Sequence, residues 1–330
     1  MKPAPRSIRS VMLSVVAPCY NEAEGLPEFV HQLRAVLTGL GGEHEIVLVN
    51  DGSRDDTLRV AQELAAADPT VRVVNLLRNF GHQAAVTAGL DLARGQVIVL
   101  IDADLQDPPA LIAAMVAEWE KGADVAYGKR RRRRGESGLK LLTAGVFYRV
   151  LRSLTKTDIP ADTGDFRLID RRIVEALRGM REHHRFIRGM VAWVGGVQVP
   201  VYYDRNPRFA GSTKYPWAKM ISFAIDAITS FSVVPLRLVT YLALGILVLA
   251  LVATAVVFVI KLINPGYFIP GFAATLLTII FFGGVQLLAL GVIGEYIGRM
   301  YEAVKARPLY IIEGVYTGAT GGDGETGRKP

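Results

Sequence analysis

Two aspartates one residue apart, Asp102 and Asp104, stand beside an amide oxygen at Gln106 in the stretch Ile98-Val99-Leu100-Ile101-Asp102-Ala103-Asp104-Leu105-Gln106-Asp107-Pro108-Pro109. Carboxylate and amide oxygens at that spacing suit a hard divalent cation such as Mg²⁺ or Mn²⁺. Taken alone, D-x-D is equally an acidic turn or a helix cap. Its position says more. The apolar run before the acids reads as a fully buried strand, and a double proline cannot continue a strand ladder. The acids therefore fall at the strand's C-terminal end, the edge where open α/β sheets bind ligands. Asn21-Glu22 and Asp51-Gly52-Ser53 follow two earlier apolar runs in the same way. On a parallel sheet all three clusters share one edge. Carboxylates around such an edge can read base N–H groups and ribose hydroxyls, while a metal-holding pair neutralises a diphosphate. A nucleotide-sugar donor needs both. The patterns G-x-x-x-x-G-K-[ST] and G-x-G-x-x-G after the first strand are absent, so ATPase and NAD readings lack their phosphate cradle.

The elements that must position these residues alternate in type. Strands are predicted over Met12–Ala17, ending at Pro18, and over Glu45–Val49, Val71–Leu76, Val97–Ile101 and Asp124–Gly128. Helices are predicted over about Gly25–Leu40, Thr57–Ala67 (capped by Asp55 or Ser53), Asn79–Ala93 (stopped by Gly95) and Ala110–Lys121, with Asp107 as a cap. Strands alternating with helices of this length predict an α/β fold with a mostly parallel sheet.

The chain has 330 residues, a formal net charge of +7 and a hydrophobic fraction of 51%. The basic balance fits nucleic acid, anionic lipid or phosphate-rich substrates without choosing among them. A single cysteine, Cys19, excludes an intramolecular disulfide. The basic Met1–Ser10 and the short apolar run behind it do not make a signal peptide. Leu238–Ile260 holds no charged residue, and at about 1.5 Å per residue it crosses a hydrocarbon core of about 30 Å. A second uncharged helix is expected over about 272–294. Arg237 before the pair, and Arg299, Lys305 and Arg307 after it, outweigh the Lys261 of the connecting turn. That bias puts both termini in the cytoplasm. Lys129–Arg134 reads either as a solvated loop or as a basic patch for anionic headgroups. Leu139–Leu154 fits an interfacial or a core helix, and Tyr215–Leu236 an interfacial helix or one packed on the globular part. Thr317–Pro330 reads as a tail.

Pro18-Cys19-Tyr20-Asn21-Glu22, Val49-Asn50-Asp51-Gly52-Ser53, Arg78-Asn79-Phe80-Gly81, Asp102 through Pro109 and Gly164-Asp165-Phe166-Arg167 together resemble family 2 glycosyltransferases of the dolichol-phosphate mannose synthase type. More closely, the chain resembles bacterial polyprenyl-phosphate glycosyltransferases with two C-terminal transmembrane helices. The resemblance implies a GT-A domain over 1–214, an interfacial segment over 215–236, a membrane hairpin over 237–300 and a cytoplasmic tail over 301–330. It implies inverting transfer of a sugar from a nucleotide sugar, UDP preferred, to undecaprenyl or another polyprenyl phosphate at the bacterial cytoplasmic membrane. It also implies a homo-oligomer, with a tetramer expected, and no nucleic-acid partner. Pro18, Tyr20, Glu22, Asp51 and Asp102 would line the nucleotide pocket. Asp104 and Gln106 would hold Mg²⁺ or Mn²⁺, Asp104 also facing the donor. Asp165 and Arg167 would act in catalysis, and Arg167 with Arg205, Arg208, Ser212 and Lys214 would bind phosphate. Asn50 stands where the family often has aspartate. A processive polysaccharide synthase and a non-catalytic membrane scaffold are the competing readings; the first is disfavoured by the missing Q-x-x-R-W motif and the small number of spans.

Overall fold

The computed structural model describes residues 6–131, 163–183, 185–204, 234–264 and 271–318. The basic residues Arg132–Arg134, both expected interfacial segments apart from the last residues of the second, and the site candidates Arg205, Arg208, Ser212 and Lys214 lie outside them.

Eight strands form one sheet: β1 Leu13–Cys19, β2 His44–Asn50, β3 Val71–Leu76, β4 Val97–Leu100, β5 Val125–Arg130, β6 Thr163–Asp170, β7 Gln198–Tyr203 and β8 Ile312–Thr317. Their spatial order is β7-β5-β6-β4-β1-β2-β3-β8. The inner strands β4, β1, β2 and β3 are mutually parallel, whereas β6 and β8 run against their neighbours. The mostly parallel α/β expectation holds. Helices α1 Leu26–Leu40, α2 Thr57–Ala67, α3 His82–Leu92 and α4 Leu111–Glu120 connect the strands, and α5 Arg171–Gly179 and α6 Ile187–Val194 follow β6. The core is mainly aliphatic, with Val15, Leu33, Leu48, Val73 and Val99 closed from solvent together with the aromatic Phe29 and Phe166. A strand buried on both faces needs such continuous apolar runs.

Strand β1, expected to end at Pro18, runs on to Cys19. Ile101 donates to the Val16 carbonyl and Asp51 to that of Cys19. Strand residues alternate sides, so Pro18 faces the β4 side like Val16, and β4 has already ended at Leu100. No ladder bond is lost. Gly95 does not stop α3, which ends at Leu92 with Ala93 extended. Gly95 is small for a different reason: a Cβ there would lie 2.5 Å from the Met12 carbonyl oxygen. Helix α2 begins after Asp56, which makes no side-chain cap, while Asp55 accepts from the Thr57 N–H at 3.1 Å. Lys129 and Arg130, the start of the basic run, belong to β5 rather than to a loop.

Beyond the sheet, α7 Val234–Ile263 and α8 Phe272–Val304 are long helices. The windows Leu238–Ile260 and Phe281–Val304 are long and apolar enough to cross a membrane, and neither is buried within the molecule. Exposed leucines, valines and phenylalanines of this number need lipid or protein to cover them. Helix α8 starts at the expected Phe272 but continues to Val304 rather than ending near 294. Its polar end carries a Glu295–Arg299 ion pair at 2.8 Å. The chain then returns to the sheet. Residues 312–317, expected as part of a tail, form β8 against β3.

Candidate active site

Parallel register sends four loops out at one edge. Cys19 lies beside Asn50, Asn50 beside Asn75, and Val16 beside Leu100. Strand β6 runs the other way, so its first residues reach the same edge, with Arg167 opposite Leu100. The 20–23, 51–57, 78–82 and 101–106 loops and the Asp165 end of β6 therefore converge.

The donor-side loops are laced together. Ser53 Oγ accepts from Asn21 N–H at 3.0 Å, and Thr57 Oγ1 from Glu22 N–H at 2.8 Å. Asn21 Oδ1 takes the Arg54 N–H at 2.9 Å, and Asp55 the Ala23 N–H at 3.3 Å. Asn21 adopts a left-handed φ of 55°, a conformation asparagine tolerates better than most residues. It turns the chain so that Tyr20 is exposed and Glu22 half-buried. Pro18 is half-buried beneath them.

Asp51, expected to line the nucleotide pocket, also anchors a loop. Its Oδ1 accepts from Phe80 N–H at 2.7 Å and its Oδ2 from Gly81 N–H at 3.0 Å. Burial raises its pKa, and those two N–H groups oppose the rise. The carboxylate thereby holds the Arg78–Gly81 turn and the start of α3. Gly52 makes the approach possible: its φ is 61°, and a Cβ would lie 2.4 Å from Arg78 C and Asn79 N.

The first residue of α3 reaches the acids. His82 Nε2 lies 3.1 Å from Asp165 Oδ2 and 3.8 Å from Asp102 Oδ1. Arg188, in the first turn of α6, donates from Nε to Asp165 Oδ1 at 2.7 Å and from Nη2 to Oδ2 at 3.1 Å. Burial alone would raise the Asp165 pKa, but Arg188 and then His82 hold it well below the usual carboxylate range. Burial disfavours the imidazolium of His82, yet the Asp165 bond and the Asp102 charge push its pKa up. Asp102 is pushed up to about 6 by burial, with His82 opposing and the negative charges of Asp165, Asp104 and Asp107 adding. Arg167 is buried and brought down to about 10, chiefly by desolvation. Its Nη2 donates to the Gly164 carbonyl at 3.0 Å, but its Nε is buried with no hydrogen-bond partner among the described residues. A buried guanidinium with an unused donor is suited to an incoming anion.

Asp104 and Gln106 flank a tight turn in which Gln106 N–H donates to Asp104 Oδ1 at 3.1 Å. Leu105 between them has φ 58°, a costly conformation for a branched residue. Its side chain is buried in the core, which holds the turn in place. The donor set is all oxygen, and the negative charges of Asp165, Asp104 and Asp107, which add to burial in raising Asp102, are what a cation relieves. Among the described residues no cluster of three or more His, Cys, Asp or Glu could hold a metal. Mg²⁺ is commonly held by one or two carboxylates with substrate oxygens and waters completing its shell. The residues fit such an ion on those terms. Asp107 is not a helix cap. Helix α4 is entered from Ala110 with no side-chain cap, and Asp107 is buried, accepting a hydrogen bond from the Tyr203 hydroxyl.

The structure thus brings together Pro18, Tyr20, Glu22, Asp51, Asp102, Asp104, Gln106, Asp165 and Arg167. Sequence reasoning missed His82 and Arg188 as site residues. The available signal for Arg188 was its charge inside Ile187-Arg188-Gly189-Met190-Val191-Ala192-Trp193-Val194, an otherwise uncharged helix.

A mostly parallel sheet thus presents paired carboxylates and a buried arginine at one edge of its strands. Residues 14–178 match the model of glycosyl transferase family 2, and the chain belongs to that family, with the GT-A fold. It is 47% identical over 307 residues to an uncharacterized glycosyltransferase of Synechocystis, covering 93% of this chain and 96% of that protein. It is 40% identical over 303 residues to the prophage bactoprenol glucosyl transferase homolog of Escherichia coli, covering 92% and 99%. Among solved structures it is similar to mannosyl-3-phosphoglycerate synthase from Rubrobacter xylanophilus, with a TM-score of 0.46, 17% identity and coverage of 66% and 72%.

Proposed function

We infer that the protein moves a sugar, with inversion, from a nucleotide sugar to the phosphate of a polyprenyl lipid. The observation that carries this reading is the buried Arg167, with its unused Nε, beside the Asp165–Arg188–His82 group and on the same sheet edge as Asp102 and Asp104. One arrangement serves two anions: a donor diphosphate near Asp104 and an acceptor phosphate near Arg167. Two unburied apolar helices in the same chain make a lipid acceptor reasonable, and relatives named bactoprenol glucosyl transferase support it.

Asp104 and the Gln106 amide oxygen would hold Mg²⁺ or Mn²⁺, which when bound neutralises the diphosphate as it leaves. The remaining work falls to the chain's own residues. Tyr20, Glu22 and Pro18 form the base and ribose side of the donor site, and Asp51 fixes the loop beside it. A lipid monophosphate has a second pKa of about 6, so it is largely ionised near neutral pH. One of its oxygens attacks the anomeric carbon as the bond to the diphosphate breaks. No strong base is required. Asp165, held ionised far below the usual range, is a poor proton acceptor and a good orienting charge. Arg167 binds and aims the attacking phosphate, with Arg205, Arg208, Ser212 and Lys214 as further phosphate ligands.

The C-terminal strand supports the membrane topology. Because β8 follows both long helices yet closes the sheet of β1–β7, the two ends of the hairpin belong on one side of a bilayer. The flanking basic residues make that side cytoplasmic. A UDP-sugar donor, a cell-envelope role and a homo-oligomer, with a tetramer as the expected state, complete the reading; light scattering in detergent tests the last. The experiment for the acceptor step compares Arg167→Lys with wild type. Lysine keeps the charge but not the planar fork, so acceptor KM should rise about tenfold with donor KM unchanged, the order of one charged hydrogen bond. An unchanged acceptor KM would remove Arg167 from the lipid-phosphate site.

A further inference from the structure

A line of side-chain hydrogen bonds connects the C-terminal strand to the donor loop. Asn75 Nδ2 donates to Glu313 Oε2 at 2.6 Å. Asn50 Nδ2 donates to Asn75 Oδ1 at 2.7 Å. Ser53 Oγ donates to Asn50 Oδ1 at 2.6 Å and accepts from Asn21 N–H at 3.0 Å. Asn50 and Asn75 are buried, and they are register partners on adjacent strands. On β8, Gly314 pairs with Asn75 and Ile312 with Leu76, so the register shift leaves Glu313 as the extra residue. Such a bulge re-aims a side chain.

The bond directions agree from both ends, since the Ser53 backbone N–H, 3.4 Å from Asn50 Oδ1, also requires an oxygen there. An ionised carboxylate only accepts, so Asn75 must offer its NH₂ to Glu313 and its oxygen to Asn50. Asn50 must then offer NH₂ to Asn75 and oxygen to Ser53. The serine hydroxyl proton is thereby committed, and its lone pair is left for Asn21 N–H. That last bond holds the left-handed Asn21, which sets where Tyr20 and Glu22 stand.

We propose that Glu313, Asn75 and Asn50 are positioning residues for donor binding, and that β8, arriving after the membrane helices, sets the nucleotide loop through them. The inference rests on the donor reading given above. It accounts for asparagine at position 50. An aspartate there would still take the Ser53 hydroxyl but would demand the Asn75 NH₂, turning the Asn75 oxygen toward Glu313. Two acceptors would then face each other, and the connection to β8 would be lost. A glutamine at position 313 could donate to that oxygen and restore the line with reversed polarity.

The test is a double-mutant cycle on the full-length protein in detergent, using Asn50→Asp, Glu313→Gln and both together. Donor and acceptor KM, kcat and melting temperature are read for each with UDP-, GDP- and dTDP-sugars. Asn50→Asp should raise donor KM about fivefold, the order of one lost hydrogen bond. Glu313→Gln, at an exposed position that does not threaten folding, should raise it about twofold. The double variant should return to within about twofold of wild type. In all three, kcat and acceptor KM should stay within about twofold. A double variant no better than Asn50→Asp overturns the proposal, as does a melting-temperature loss with donor KM unchanged. A wild-type protein that transfers from none of these donors overturns the donor reading itself and the inference with it; an active wild type with uncoupled variants overturns the relay alone.

Discussion

Replacing Arg188 by glutamine probes the charge arrangement at its centre. The guanidinium grips both oxygens of Asp165, at 2.7 and 3.1 Å, where the carboxylate side chain is 9% exposed and the arginine 27%. Removing one member of a buried pair typically costs about 3–5 kcal/mol. His82 remains as a partner at 3.1 Å, and Arg188 is partly hydrated, so a cost at or just below that range, about 2–3 kcal/mol, is expected. In a domain of this size that lowers the melting temperature by about 5–10 °C. The pH dependence follows from the depressed Asp165 pKa. A carboxylate depressed on folding contributes stability above its unfolded value, about 3.9, and loses it as pH falls through the folded value. The part of the gap that comes from Asp165 should therefore be fully present above about pH 5 and be lost as pH falls below about 4. Tryptophan-fluorescence melting in detergent across that range measures it. The same variant should lose at least about tenfold in kcat, because Asp165 is no longer held in place. A melting temperature unchanged at pH 7 together with an unchanged kcat would refute the assignment of Arg188 and Asp165 as one unit.

Three further outcomes follow from other parts of the site. Gly52→Ala forces a Cβ to 2.4 Å from the Arg78–Asn79 backbone at φ 61°; about 2 kcal/mol or more of stability should be lost, with a raised donor KM, read by melting and initial rates. Asp104→Asn should reduce transfer at least about a hundredfold without rescue by excess Mn²⁺, and chelation should abolish wild-type transfer until Mg²⁺ is restored; near-wild-type turnover would remove Asp104 from the metal site. Cys19 is buried, and burial and then the nearby Glu22 and Asp102 push its thiol pKa far up, so alkylating reagents should label it only after denaturation, as mass spectrometry can show.

The sequence made some of this legible and hid the rest for identifiable reasons. Val71–Leu76 and Thr57–Ala67 fall at the expected residues because apolar periodicity and polar boundaries agree there. The convergence of Asp51, Asp102 and Asp104 followed from parallel topology alone. Individual roles did not. That Asp51 also anchors a loop was hidden because its partners, the N–H groups of Phe80 and Gly81, come from the next strand's loop. His82 and Arg188 meet Asp165 from 83 and 23 residues away in the chain, and nothing local marks such a meeting. Asp107 looks like a cap beside two prolines, and only the arrival of Tyr203 from β7 shows it as a buried acceptor. Strand β8 was hidden because a short segment with a glycine after two apolar helices carries little periodicity.

The most direct test places the purified full-length protein in liposomes with undecaprenyl phosphate, a divalent cation and radiolabelled UDP-glucose, with other nucleotide sugars in parallel. The account predicts a single lipid-extractable product, one sugar joined to the polyprenyl phosphate with the anomeric configuration inverted, formed only when lipid phosphate and metal are both present. A polymer, a product that does not require the lipid phosphate, or no transfer from any nucleotide sugar would contradict it.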